Sequence, residues 1–271
     1  MTAAFLPMLC AGLLAGAAPD GDGGPAGSYL CRPAYELDDQ LRGPSEVYVP
    51  QPGDIMFSTD ANPIWKVLFM CAWTDHPHHS AMVVKRADGR TAVLESGPYD
   101  TLKVEMLDPA DHMQKYEKKG QVWIRRRRTP ISAEQCAKLT EFAERQNKRW
   151  FAMFRLGGQL TPFRSRGPWR TEYVGGPHGD RNGYYCCELL LEACVAGGLL
   201  DPKTTRPCAT YPRDVFFDRS MNPWINQHLN LAADWYPPAR WVSHPVPRAV
   251  SLGEPVPVDE SNALNRAQYR R

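Results

Sequence analysis

The order of patterns along the chain constrains the fold most, because strand patterns come first and helical patterns follow them. Five segments have the alternating or apolar pattern of strands. They are residues 54–58, 80–85, 91–96, 101–105 and 121–126. Residues 132–147 and 186–196 instead repeat apolar residues at helical spacing. Strands first and helices afterwards are typical of an α+β fold with a mostly antiparallel sheet.

The two ends of the chain lack a core pattern and so set the limits of the predicted domain. Residues 1–17 have the apolar run and the A-x-A cleavage pattern of a secretory signal peptide. Residues 18–44 have the composition of a linker, and residues 245–271 that of a proline-rich flexible tail. We therefore expect one domain over residues 45–244, in a protein exported to the periplasm or the extracellular space.

Composition and charge agree with a single enzyme-sized domain. The 271 residues and the 43% hydrophobic content suffice for one domain with a sizeable core. A formal net charge of +2 gives no reason to expect a nucleic-acid partner. The run Arg125–Arg128 is typical of a strand end with alternating exposed arginines, since it lacks the interleaved aromatic residues of single-strand binders.

The first long helical segment has a recognisable start. Ser132 and Gln135 have the spacing of a capping box. The inner face predicted for this helix consists of Cys136, Leu139, Phe142 and Ala143. Cys136, like Cys194 in the second helical segment, is therefore expected to be a buried free thiol.

The second helical segment begins with two adjacent thiols, in the pentapeptide Tyr185–Leu189. The unpaired N–H groups and the positive end of the macrodipole lower the pKa of a thiol at a helix start. The thiolate is the reactive form. Successive residues point about 100° apart on a helix, so only one of these thiols can face a base. The alternative is that Cys186 and Cys187 are both small core residues.

A general base for such a thiol is available at His79, which opens a predicted strand after a polar loop. The strand returns through a turn that contains glycine. A three-residue loop Ala87–Gly89 would place Ala81 opposite Glu95, so that Glu95 and His79 share one face. A two- or four-residue loop would turn Glu95 to the other face.

Five motifs resemble those of one enzyme family. They are QPGDIMF at 51–57, HSAMVV at 79–84, VLE at 93–95, YCCELL at 185–190 and YPRDVF at 211–216. In these motifs the chain is similar to the circularly permuted papain-like branch of the NlpC-type cysteine hydrolases, in particular its YaeF/YiiX-like group. The resemblance covers residues 46 to about 220. It implies a permuted papain-like fold, in which a mostly antiparallel sheet packs against a helix that bears the nucleophile.

The resemblance also implies roles for three residues. Cys186 matches the family's nucleophile, His79 its base and Glu95 the residue that orients the base. Where the family usually has serine after the nucleophile, this chain has Cys187, and we expect Cys186 to be the nucleophile. No cofactor and no metal are expected.

The activity implied is that of a cysteine peptidase or amidase, which cleaves an amide through an acyl-enzyme. The amide could belong to a cell-wall peptide, in association with the cell envelope. A lipid acyl-ester or thioester hydrolase, or an acyltransferase, is the alternative on the same fold. The expected partner is therefore a small peptide, an amide or a lipid acyl substrate.

Two alternatives belong to other functional classes. A zinc site is one, because one loop offers nitrogen, oxygen and sulfur donors. The donors are Asp75, His76, His78 and His79, with Cys71 nearby. The absence of H-x₃₋₅-H or C-x₂-C spacing, and the stiffness that Pro77 gives the loop, count against it. An inactive binding module on the same fold is the other, although the complete Cys–His–Glu set argues against lost activity.

The segment from Arg155 to Asn182 is longer than most loops in compact domains, and such loops are often binding loops or lids. Its arginines are candidates to bind an anionic substrate, and a solvated insertion is the alternative. These arginines are Arg155, Arg164, Arg166, Arg170 and Arg181.

Overall fold

A computed structural model describes residues 27–31, 45–60, 63–72, 74–97, 101–158, 178–219 and 229–245. The predicted signal peptide, most of the predicted linker and nearly all of the predicted tail lie outside the described residues. In the described part, the strands are β1 (Tyr29–Cys31), β2 (Ser45–Val47), β3 (Ile55–Ser58), β4 (His79–Lys85), β5 (Thr91–Gly97), β6 (Thr101–Leu107), β7 (Val122–Arg125), β8 (Trp150–Phe151), β9 (Gly183–Tyr184) and β10 (Ala239–Val242).

The α-helices in the same ranges are α1 (Pro63–Cys71), α2 (Pro109–Lys119), α3 (Ala133–Gln146), α4 (Met153–Gly158), α5 (Cys186–Ala196) and α6 (Pro212–Phe217). Short 3₁₀ turns lie at Pro207–Ala209 and Leu231–Ala233. Among these helices, none combines the length and the apolar character that crossing a membrane requires.

One sheet contains the ten strands, in the order β2-β1-β10-β7-β3-β4-β5-β6-β8-β9. Neighbouring strands are antiparallel, except for the short parallel pair β8 and β9. The predicted α+β class with a mostly antiparallel sheet is thus confirmed. The five predicted strands correspond to β3, β4, β5, β6 and β7, at the centre of the sheet.

The β4–β5 hairpin has the register that a three-residue loop requires. Met82 lies opposite Leu94, and Gly89 in the loop has a left-handed φ of 85°. This register places His79 and Glu95 on one face of the sheet, as the sequence predicts, because side chains alternate between faces along a strand.

Both faces of the sheet are covered. Helix α5 is apolar nearly all round its circumference, so it must be buried, and it packs against β4, β5 and α3. On this side the core includes Phe57, Met82 and Leu190. The opposite face packs against α2, with Val83 and Met113 in a second cluster. The sheet is therefore the middle layer between α5 and α2.

Helix α2 is absent from the sequence prediction. Asp108 caps it by accepting hydrogen bonds from the N–H groups of Ala110 and Asp111, and Pro109 occupies the first turn. These are ordinary start signals for a helix. Few of its residues are apolar, and its inward face includes the polar residue His112.

The sheet extends into the range assigned to the linker. Strand β1 pairs antiparallel with β10, with Leu30 opposite Trp241. Both of these side chains are fully buried. Three residues are enough for a strand here because an existing sheet edge and an apolar cluster receive them.

Two side-chain expectations are wrong. Arg125 is buried and donates a hydrogen bond to the carbonyl oxygen of Phe216, and the guanidinium of Arg127 lies over the ring of Trp235. These arginines of the predicted exposed run therefore hold the sheet to neighbouring segments. Cys136 is only partly buried, because α3 turns Leu139, Phe142, Ala143 and Gln146 inward and leaves its first turn near solvent. Cys194 is a buried free thiol, as expected.

Candidate active site

The two adjacent thiols at the start of α5 lie in different environments. Cys187 is 0% exposed and belongs to the core beneath the sheet. Cys186 is partly exposed and borders a cleft. Its Sγ atom lies 4.0 Å from the carbonyl oxygen of His78. Cys186 is therefore the thiol that a substrate can reach.

His79 lies at the first position of β4 and binds a buried carboxylate. Its Nε2 atom is 2.9 Å from Oε2 of Glu95. The same carboxylate oxygen is 2.7 Å from Nε2 of His112 and accepts a hydrogen bond of 3.4 Å from the Tyr116 hydroxyl. Three side chains from two elements thus hold Glu95 in place.

The charges in this network stabilise one another. Burial by itself lowers the pKa of His79, but the charge of Glu95 and a hydrogen bond with Cys186 raise that pKa to about 10. Burial raises the pKa of Glu95, but the charges of His112 and His79 bring it well below its usual range. At neutral pH the site therefore holds an imidazolium at His79 against a carboxylate at Glu95.

The ring of His79 is confined on two sides. It stacks on the ring of Tyr116, with centroids 5.0 Å apart and planes 6° apart. On another side lies Gly97, where an added Cβ would stand 3.1 Å from the Cε1 atom of His79. The imidazole is thus fixed by packing as well as by hydrogen bonds.

A cleft opens beside Cys186. Half of its lining residues are aromatic or aliphatic, and His78 and His79 are among the others. The apolar lining includes Phe69, Phe151, Leu156, Tyr185 and Tyr211. Such a cleft suits the apolar part of a substrate, with the polar groups gathered near the thiol.

The segment that leads into α5 is anchored by two hydrogen bonds. The Ser96 hydroxyl donates to the carbonyl oxygen of Tyr184 at 2.6 Å. The Tyr185 hydroxyl donates to the carbonyl oxygen of Cys208 at 2.6 Å. The thiol therefore starts a helix whose N-terminus is tied to the sheet on one side and to the 3₁₀ turn on the other.

Two of the arginines considered for substrate binding instead pair with Glu188, in the first turn of α5. The Glu188 carboxylate is fully buried, and Nε of Arg181 lies 3.2 Å from its Oε1. Arg155 forms the second ion pair with it and also donates to the carbonyl oxygen of Gly183 at 2.6 Å. Arg155 and Arg181 thus hold the nucleophile helix in place, and Arg164, Arg166 and Arg170 lie outside the described residues.

The donors considered for a metal divide into two clusters. His79 joins Glu95 and His112 in one, and the other consists of Asp75, His76 and His78. In each cluster the donor atoms lie within 4.8 Å of one another. Cys71 belongs to neither of these clusters.

His112 and Tyr116 are the site residues absent from the sequence analysis. They lie four positions apart on α2 and so share one face of the helix. The Asp-Pro helix start at residues 108–109, read together with this spacing, is the signal that would have found them.

Comparison with protein-family models and with curated proteins found no match. Among solved structures, the chain is similar to the metalloprotein yiiX from Escherichia coli O157:H7, which carries the domain designation DUF1105. The two are 21% identical, with a TM-score of 0.38. The alignment covers 54% of this chain and 66% of yiiX, slightly under two thirds of that protein.

Proposed function

We propose that this protein is a cysteine-dependent hydrolase of the permuted papain-like, NlpC-type class, which cleaves an amide through an acyl-enzyme. Cys186 is the nucleophile, His79 the base and Glu95 the residue that orients His79. One observation carries the proposal. A partly exposed thiol at a helix start lines the same cleft as a buried histidine, and a buried carboxylate holds that histidine.

The proposed reaction has two halves. The imidazolium of His79 stabilises the Cys186 thiolate, which attacks the carbonyl carbon. A bond forms between Sγ and this carbon, the C–N bond breaks, and His79 gives its proton to the leaving amine. Water then attacks the thioester carbon and His79 takes a proton from it. The C–S bond breaks, so that the Cys186 thiolate is restored and the free acid leaves. The backbone N–H of Cys186 lies in the first turn of α5, where it can donate to the oxyanion.

A second candidate reaction is hydrolysis or transfer of a lipid acyl group. The apolar lining of the cleft favours it, because aromatic and aliphatic side chains suit an acyl chain better than a polar peptide. In both reactions we propose a substrate of the cell envelope, since residues 1–17 have the pattern of a secretory signal.

Labelling with a thiol-reactive acyl probe tests the nucleophile. Cys186→Ala should abolish the labelled adduct. Cys187→Ser should keep most of the labelling, with a lower melting temperature because it places a hydroxyl in the core. An active Cys186→Ala together with an inactive Cys187→Ser would overturn the assignment. Screening muropeptides against acyl esters then separates the two candidate reactions.

Chelation tests the class of mechanism. Iodoacetamide should inactivate the enzyme, whereas EDTA should not lower turnover, because a thiolate–imidazolium pair needs no Lewis acid. Stoichiometric zinc in the purified protein, with loss of turnover on chelation, would replace the cysteine mechanism by a metal one.

A further inference from the structure

One side chain in the cleft is not used by the proposed reaction and lacks an evident partner. His78 is 6% exposed, lines the cleft, and neither of its ring nitrogens has a hydrogen-bond partner. Burying an unpaired polar group destabilises a protein, so such a group in a folded protein calls for an explanation. A bound metal ion would explain it, and the residues next to His78 support this explanation.

The neighbours of His78 are two further metal-ligating side chains. Oδ1 of Asp75 lies 2.7 Å from Nδ1 of His76, and the donor atoms of all three residues lie within 4.8 Å of one another. In a tetrahedral zinc site, ligand atoms about 2.0–2.1 Å from the ion stand roughly 3.3 Å apart. Small side-chain rotations therefore suffice to bring the three donors around one ion.

Side chains around the loop at residues 74–78 hold these three donors close together. Arg213 of α6 donates a hydrogen bond of 3.0 Å to the carbonyl oxygen of His76. The ring of His78 packs on that of Phe69, with centroids 4.9 Å apart. The loop is thus held from α6 and its last histidine from α1, so the site is built before an ion arrives.

The second cluster of donors, His79, Glu95 and His112, does not call for a bound ion. There, Nε2 of His79 and Nε2 of His112 lie 2.9 Å and 2.7 Å from the same Glu95 oxygen, so contacts with one buried carboxylate account for the arrangement. His78 has no such partner. The unpaired ring nitrogens of His78 therefore belong to the cleft lining and not to the network that orients His79.

We propose that Asp75, His76 and His78 form a binding site for a divalent cation of the zinc class. Two imidazoles and one carboxylate are a ligand set that zinc accepts, with a fourth position left for water. Because His78 lines the same cleft as Cys186, an ion held there obstructs the thiol. That the bound ion would inhibit the enzyme rests on the proposed function, whereas zinc binding itself does not.

Binding is measured first, by calorimetric titration of ZnCl₂ into the Cys186→Ala protein, so that the thiol cannot contribute a ligand. One zinc ion per chain is expected. His78→Ala and His76→Ala should each weaken binding by at least about tenfold. His112→Gln, which alters the other cluster, is the matched control and should bind zinc as the parent does. Thermal melting of each variant verifies that it is folded.

Cobalt gives a second, spectroscopic readout. Co²⁺ in the Cys186→Ala protein should show visible absorption bands of a low-coordinate site, and His78→Ala should remove them. Zinc affinity weaker than millimolar would overturn the proposal. So would zinc binding that is lost in His112→Gln and kept in His78→Ala.

The inhibition is tested separately on the full-length wild-type protein. Zinc should slow iodoacetamide labelling of Cys186, and EDTA should restore the rate. The His78→Ala protein should be labelled at a rate that zinc does not change. If Cys186 proves not to be the nucleophile, the proposed function fails while the calorimetric result still decides the metal site. Unchanged wild-type labelling at saturating zinc would overturn the inhibitory role.

Discussion

At the scale of single residues, the position of His79 depends on the absence of a side chain at Gly97. A Cβ at this position would approach Cε1 of His79 to 3.1 Å and Oε1 of Glu95 to 3.7 Å. These contacts are tight, so the imidazole would have to move by a few tenths of an ångström. Small displacements of catalytic groups have large effects on rate.

Gly97→Ala should therefore slow iodoacetamide labelling of Cys186 by about tenfold, while the melting temperature changes little. Gly157→Ala is the matched control, because a Cβ there meets no atom within 4 Å. An unchanged labelling rate in Gly97→Ala would show that the ring is less confined than its contacts indicate.

The charge on His79 gives a dependence of stability on pH. Its pKa is about 10 in the folded protein against an ordinary value of 6.5. A histidine with a raised pKa binds its proton more tightly when folded, so its contribution to stability is complete below pH 6.5. That contribution is lost as the pH rises from 6.5 through about 10.

The free energy of unfolding should therefore fall more steeply between pH 6.5 and 10 in the wild type than in His79→Gln. Urea titrations at several pH values, in buffers with EDTA, measure both slopes. Parallel curves for the two proteins would mean that His79 is not protonated in the folded state.

At the scale of secondary-structure elements, α5 is held at its start by the buried carboxylate of Glu188. Burial raises the pKa of this carboxyl, and the charges of Arg155 and Arg181 oppose that rise. Removing one partner of a buried ion pair leaves the other charge buried and unpaired. The position of the nucleophile thus depends on an ion-pair network outside the cleft.

Glu188→Gln should lower the free energy of unfolding by about 3 kcal/mol, since Arg155 and Arg181 then lose their counter-charge. Glu134→Gln is the control, because its pair with Lys138 on α3 is exposed and screened by solvent, so its loss should hardly change stability. Urea denaturation measures both. Equal effects of the two substitutions would contradict the role assigned to Glu188.

Features of an element that depend on nearby residues could be predicted from the sequence, and features that depend on distant residues could not. The capping box at Ser132 and Gln135 is formed as predicted, because it depends on residues three positions apart. The β4–β5 register follows likewise from a short turn. The burial of Arg125 could not be predicted in this way, since the carbonyl groups to which it donates belong to residues 215 and 216 on α6.

At the scale of the whole molecule, β1 and β2 extend one side of the sheet, because β1 pairs with β10 from the other end of the described chain. Leu30 on β1 is 0% exposed and lies in the cluster on the α2 side of the sheet. Val47 on the neighbouring strand β2 is 70% exposed. The two residues lie on adjacent strands but differ in the apolar surface that they bury.

Leu30→Ala should therefore lower the free energy of unfolding by about 2–4 kcal/mol, because it leaves a cavity in the core. Val47→Ala should change it by less than about 0.5 kcal/mol. Chemical denaturation of both variants tests the difference. A small effect of Leu30→Ala would show that β1 adds little to the fold.

The sequence by itself determined the α+β class, the five central strands, the helix α3 and the juxtaposition of His79 with Glu95. These features depend on periodicity and on short turns, which are local properties of the chain. The family resemblance favoured Cys186 over Cys187, but local patterns could not show which thiol faces the cleft, because that depends on which side of α5 meets the sheet. The tertiary structure alone decided that α2 brings His112 and Tyr116 to Glu95, and that Arg155 and Arg181 bind Glu188. Such contacts join residues distant in sequence, and burial and charge pairing select them only when the whole chain has folded.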